Sequence, residues 1–207
     1  GGELETRTVI FAGGTYHRSL GIKGEREFSG RGISSCAVCD GAFFKGKPAA
    51  VIGGGDTAFS DALYLANICS EVYIISRRDV FRAGKSLVAQ AESSDKIKII
   101  TNAVPVEVHG DKLVDSIEIS QNGKLSSIAV NGVFIAIGSV PNTDIIAPLV
   151  KLDESGYIIA GEDGVTSADG IFAAGDCRTK KLRQVITAVA DGANCVMSAE
   201  KYIRENR

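Results

Sequence analysis

The chain has 207 residues, 44% of them hydrophobic and 23% charged, and its 23 basic and 25 acidic side chains leave a formal net charge of −2. That balance offers no basic surface for nucleic acid or anionic lipid, and no apolar run approaches the roughly 18 residues of a spanning helix. Five cysteines in this length make no disulfide framework, so a reducing cytoplasm is the expected setting.

Glycine is the compositional outlier, 24 of 207, gathered at the ends of short apolar runs. Buried parallel strands read as continuous apolar runs, and a terminal glycine lets a cofactor approach the backbone. The first such run is TVIFAGG (8–14). A polar, glycine-containing connection then leads to SSCAVCDGAFF (34–44). PAAVIGGG (48–55) predicts a strand and tight turn. DTAFSDALYLANICS (56–70) predicts a helix, from Ala58, Ala62, Leu65, Ala66 and Cys69 at helical spacing. EVYIISRR (71–78) is a second strand, AGKSLVAQAESSD (83–95) a helix and KIKIITNA (96–103) a third strand. From residue 104 apolar and polar residues alternate, with Gly110-Asp111 and Asn122-Gly123 where turns are needed, so an antiparallel meander is expected. Beyond 138 come a proline turn (GSVPNT), a short hairpin near GYIIAGEDG, the strand GIFAAGD and a last helix over about 185–204.

Gly53-Gly54-Gly55-Asp56-Thr57-Ala58 is a G-x-G-x-x-A after a strand and opening a helix. Gly53 permits the turn, Gly55 lets a pyrophosphate touch the backbone, and Ala58 keeps helix and strand close. The next strand ends at SRRDVFR. An NAD site usually carries an acidic residue there; Arg77, Arg78 and, one turn on, Arg82 suit the 2′-phosphate of NADPH instead. The alternative is an ordinary solvated charge cluster. GIFAAGDCR (170–178) could place a carboxylate on a ribityl hydroxyl, or be a strand followed by an acidic cap. Cys36 and Cys39, with Asp40 directly after, have the spacing of a zinc half-site, a structural disulfide or a redox pair. Zinc needs a second ligand pair; Cys69, Cys177 and Cys195 stand alone, and His17 and His109 are not so spaced, so no metal site is expected. A structural disulfide would close too small a loop to stabilise much. A redox pair remains, with Asp40 as a proton carrier.

These segments resemble the low-molecular-weight, bacterial-type thioredoxin reductases along essentially the whole chain: GRGISSCAVCDGAFFKGK, VIGGGDTAFSDALYLANICSEVYIISRRDVFRA, GVFIAIGSVPNT, GIFAAGDCR and RQVITAVADGANCVMSAEKYI stand in the family's order. The resemblance implies an α/β fold in which a Rossmann-like NADPH-binding domain with an antiparallel β-meander is inserted in a partial FAD-binding domain. The expected boundaries are 1–20 for a remnant of the FAD domain, 21–131 for the NADPH and dithiol domain, and 132–207 for the C-terminal part of the FAD domain. It also implies an electron path from NADPH through FAD to a Cys36–Cys39 disulfide and on to thioredoxin, in a homodimer. Cys39 is then the flavin-side sulfur, Cys36 attacks the substrate and Asp40 is the acid/base. Asp176 takes the ribityl chain, Arg183, Gln184 and Val185 lie along the flavin ring, and Gly138 joins the cofactor-binding set. Rival readings are a peroxiredoxin-linked or ferredoxin-dependent reductase of the same fold, or a non-catalytic NADPH-binding module.

The family's opening strand and FAD-pyrophosphate loop have no counterpart here, so the chain is expected to be one part of a longer enzyme, with TVIFAGG and GIFAAGD presenting open strand edges. Smaller departures are Ser76 where His is usual, Val189-Ala190 where Ala-Gly is usual, and Gly13 for a common Thr.

Overall fold

The computed structural model describes residues 2–206. In chain order its first elements are β1 (Val9–Phe11), β2 (Thr15–His17), β3 (Ile33–Ser34), α1 (Ala37–Asp40), β4 (Ala49–Ile52), α2 (Asp56–Ala66), β5 (Val72–Ile75) and α3 (Lys85–Glu92). There follow β6 (Ile97–Ile100), β7 (Ala103–Gly110), β8 (Val114–Gln121), β9 (Lys124–Ala129), β10 (Gly132–Ile135), β11 (Ser139–Pro141), β12 (Ile171–Ala173) and α4 (Val185–Glu205). The chain forms two compact units, His17–Gly138 and Gly1–Tyr16 with Ser139–Arg207.

The unit His17–Gly138 has three layers. Its centre is a five-stranded sheet of order β3-β10-β4-β5-β6, in which each strand runs parallel to its neighbours. A parallel sheet must be covered on both faces, and the strand sequences supply this by alternation. Ala50 and Ile52 of β4 face a core with Val108, Val114, Ile117 and Ile119 of the β7-β8-β9 meander. Ala49 and Val51 face the opposite core, with Ala58, Phe59, Ala62 and Leu65 of α2 and Ala91 of α3. Phe59 and Leu65 are fully buried, each contributing roughly 1.5–3 kcal/mol. The meander's second turn is fixed by Asn122 and Gly123, both at positive φ (50° and 80°) between Gln121 and Lys124, which matches the twist of a two-residue hairpin. The α/β fold expected from the sequence is therefore present, meander included.

In the other unit β1 pairs with β12 in parallel, Val9 opposite Ile171. β12 packs Phe172 against Cys195, Ala199 and Tyr202 of α4. Val9 and Ile10 are exposed, as are Val185, Ile186, Val189 and Met197 of α4. The short hairpin expected near GYIIAGEDG is present: Leu152 and Ile158 pair antiparallel, Asp153 N–H donates to Tyr157 O at 2.8 Å and Ile159 N–H to Lys151 O at 3.0 Å. On its other side Ile158 bridges Arg178 in parallel. Its N–H donates to Cys177 O at 2.9 Å and its carbonyl accepts from Thr179 N, which ties the hairpin to residues 177–179. Asp163 then closes a local turn by accepting the Val165 N–H.

This unit is stapled by a buried ion cluster. Asp191 of α4, 2% exposed, accepts from Arg178 Nε (2.9 Å) and Nη2 (2.6 Å), from Lys180 Nζ (2.8 Å) and from the Gly175 N–H (2.8 Å). Burial alone would raise the Asp191 pKa; the donors, Arg178 foremost, outweigh it and hold the carboxyl at about 2. A depressed folded-state pKa gives stability present above the unfolded value and lost as pH falls through the folded one. Asp191→Asn also strands a buried guanidinium, costing about 3–5 kcal/mol at neutral pH. Urea unfolding at pH 6 and pH 2 should show the gap between wild type and Asp191→Asn shrinking by about 2 kcal/mol on acidification. A gap independent of pH would contradict the assignment.

Candidate functional site

The C-terminal ends of β4, β5 and β10 open onto a cleft of about 460 Å³ lined by Gly53, Gly54, Ser76, Arg77, Arg78 and Arg82 among others. This is where an α/β sheet places its ligands. The glycines explain the shape. A Cβ on Gly53 would lie 2.4 Å from Ala136 O and 2.9 Å from the Ala58 Cβ, so only glycine lets α2 begin this close to β4 and β10. A Cβ on Gly54 would meet Ser76 Oγ at 2.8 Å. Gly55, the N-cap of α2, differs: it sits at φ −107°, and a Cβ added there would find nothing within 4 Å. The space above it is open.

Two backbone contacts bring the arginines over this turn. Arg82 N–H donates to Gly54 O at 2.9 Å, and Ser76 Oγ accepts from Arg78 N–H at 3.4 Å. Arg77, Arg78 and Arg82 are at least partly exposed and form no ion pair among the described residues. Arg18, which sequence reasoning missed, lines the same cleft; it lies far away in sequence and carries no motif. Asp56 Oδ1 accepts the Gly84 N–H at 2.7 Å, Thr57 is exposed and Ala58 buried. Gly138 lies outside the residues lining the cleft; at φ 104° it offers its carbonyl to Arg18 N–H at 3.0 Å.

Cys36 and Cys39 form a disulfide, with Cα atoms 5.3 Å apart. They bracket the single turn of α1, where Cys36 is the N-cap and its Sγ accepts the Cys39 N–H at 3.2 Å. The turn is mounted on α2. Ala37 is buried in the α2 core, and a Cβ on Gly41 would touch Leu65 at 3.0 Å and Tyr64 at 3.2 Å. One helix thus supports the redox turn and opens at its start onto the arginine cleft. Asp40 Oδ2 accepts from Ser34 Oγ at 2.6 Å, a partner that no sequence pattern singles out. Asp61 of α2, half-buried, has its carboxyl pushed up to about 6 by burial.

In the second unit Asp176 lies in the turn Gly175–Cys177. Its Oδ1 is buried and has no hydrogen-bond partner among the described residues. Such an orphan is costly, and a ligand hydroxyl would satisfy it, so the residue fits the ribityl chain of FAD. Arg183 stacks its guanidinium 4.1 Å over Tyr157 and points Nε at Asp176 O (3.4 Å). Gln184 caps α4 in a capping box with Thr187, and Val185 is 82% exposed. Cys69, Cys177 and Cys195 are buried and free. Among the described residues one group could hold a metal, Glu107, His109 and Glu118 of the meander. The Lys23 ammonium already sits 2.6 Å from Glu107 and, by that hydrogen bond, holds its carboxyl low.

A family model described as pyridine nucleotide-disulphide oxidoreductase matches residues 1–192. The chain is 45% identical over 204 residues to thioredoxin reductase of Listeria innocua, covering 97% of this chain and 64% of that protein. It is 41% identical to thioredoxin reductase of Bacillus subtilis, covering 98% and 65%. The crystal structure of thioredoxin reductase from Streptococcus pyogenes superposes with a TM-score of 0.90 at 41% identity, covering 96% of this chain and 66% of that one. The chain thus spans about two thirds of the length of these relatives.

The empty space over Gly55 gives a separable prediction. In Gly55→Val the added Cβ meets no protein atom within 4 Å and no forbidden φ, so the variant should lose no more than about 1 kcal/mol of stability to urea, the cost of a poorer N-cap. It should weaken NADP⁺ binding on the order of tenfold or more, because its methyls fill the space a pyrophosphate needs. Unchanged binding by equilibrium dialysis would remove the pyrophosphate from this turn.

Proposed function

Because the chain belongs to the pyridine nucleotide-disulphide oxidoreductase family, with thioredoxin reductases as its relatives, we propose that it is the NADPH-binding, dithiol-bearing part of an FAD-dependent thioredoxin reductase. One observation carries this reading. The Cys36–Cys39 disulfide is mounted on α2, the helix whose first turn opens onto a cleft with three arginines free of ion pairs among the described residues. A dinucleotide pyrophosphate over Gly55 meets the N-terminal amides of α2, and the 2′-phosphate reaches Arg77, Arg78 and Arg82. NAD binding would call for a carboxylate at the end of β5, where Ser76, Arg77 and Arg78 stand.

Asp176, Arg183, Gln184 and Val185 are the residues that would hold FAD, whose chemistry when bound is two-electron transfer between a nicotinamide hydride and a disulfide. The chain's own part is thiol–disulfide exchange. As a dithiol, Cys36 attacks a partner protein's disulfide to form a mixed disulfide, and Cys39 resolves it. Asp40 carries the proton between attacking and leaving sulfurs. Thioredoxin is the partner favoured by the relatives' names. A ferredoxin-dependent relative would have no use for the arginine wall. The three buried free cysteines suit a reducing cytoplasm, and the full enzyme is read as a homodimer.

Replacing both Arg77 and Arg78 by Ala removes two charge-assisted contacts. NADP⁺ affinity should fall about a hundredfold while NAD⁺ affinity changes less than about threefold. Equal losses for both nucleotides, measured by isothermal titration, would refute a 2′-phosphate site.

A further inference from the structure

We propose that Ser34 is a positioning residue for the thiol–disulfide step, holding Asp40 in the orientation that delivers its proton to sulfur; this rests on the reading of Asp40 as the proton carrier. Ser34 Oγ donates to Asp40 Oδ2 at 2.6 Å and accepts the Cys36 N–H at 3.0 Å. A single hydroxyl therefore ties the acid to the start of the redox turn. The remaining carboxylate oxygen, Oδ1, makes no hydrogen bond among the described residues, so it is the one left for proton exchange.

The mounting differs from that of the cysteines. Cys36 and Cys39 sit on a one-turn helix, whereas Ser34 belongs to β3, paired in parallel with Phe134 of the central sheet. Asp40 closes the same turn, and Ser34 ties its carboxylate to the sheet as well. Ser34 and Asp40 also line two clefts, of about 360 and 370 Å³. Their carboxylate–hydroxyl pair is half-buried, so Asp40 is held at the wall of both clefts without being freely solvated.

The chemistry balances without a further reactant. The reduced pair loses two electrons and two protons and closes its S–S bond; the substrate disulfide gains both and leaves as two thiols. Asp40 takes a proton from an attacking thiol, returns it to a leaving sulfur and ends as it began. Its help matters only when the leaving thiolate is basic, since a poor leaving group slows exchange. That gives a readout that a purely structural role would not move.

The chain would be reduced with a phosphine, desalted anaerobically and mixed with oxidised glutathione, whose leaving thiolate is basic, or with an aromatic disulfide, whose leaving thiolate is not. Ser34→Ala and Asp40→Asn should each slow reaction with oxidised glutathione on the order of tenfold or more, and the aromatic disulfide less than about twofold. Ser34→Thr, which keeps the hydroxyl, should restore the rate, and the double variant should be no slower than Asp40→Asn alone. If Asp40→Asn is slow but Ser34→Ala is not, the Ser34 role is overturned and the Asp40 reading stands. Additive losses, or equal slowing of both disulfides, would likewise reject it. A normal rate for Asp40→Asn would overturn both.

Discussion

A methyl group cannot be placed on residue 53. With the Ala136 carbonyl 2.4 Å and the Ala58 methyl 2.9 Å from where a Cβ would stand, only glycine lets β4, β10 and the first turn of α2 meet at one point. The rest of the larger unit is organised outward from that junction. Gly54 must be small because Ser76 lies beneath it, and its carbonyl receives the Arg82 N–H, which folds the arginine segment over the turn. The far half of α2 carries Leu65 and Tyr64, against which the redox turn is seated at Gly41. The close approach of helix to sheet is thus shared by the arginine-lined cleft and the disulfide.

The smaller unit shows the same logic through charge. Two aspartates lie near the junction of the 175–177 turn and α4, and they could hardly differ more. Asp191 is saturated with four donors from Arg178, Lys180 and Gly175, which marks a structural brace. Asp176, next to Gly175 in that turn, keeps a buried oxygen with no partner among the described residues. A fold that satisfies one carboxylate so fully and leaves its neighbour bare has the form of a prepared ligand contact. The brace fixes the turn; the orphan is what the turn presents.

Much of this was legible from residue order. The continuous apolar runs gave β4, β5 and β6, helical spacing gave α2, and Asn122-Gly123 gave the β8–β9 turn with its positive φ angles. The G-x-G-x-x-A and the arginines after β5 located the cleft. What escaped was long-range or too short to carry a pattern. β3 is two residues long, Ser34 on it is an ordinary serine until it meets Asp40, and Arg18 reaches the cleft from a loop without a motif. The contact of Asp56 with the Gly84 N–H, 28 residues on, was equally out of reach of any local pattern. The short hairpin near GYIIAGEDG is present, but its first strand, residues 151–153, carries no pattern that marks it.

On the proposed reading, the cleft over the glycine turn is built for a dinucleotide carrying a 2′-phosphate. The most direct measurement is isothermal titration of the unmodified chain with NADP⁺ and with NAD⁺ at the same ionic strength. Three arginines without acidic partners among the described residues predict NADP⁺ binding at least about tenfold tighter, with a preference that narrows as salt is raised. Equal affinities, or a preference for NAD⁺, would contradict it.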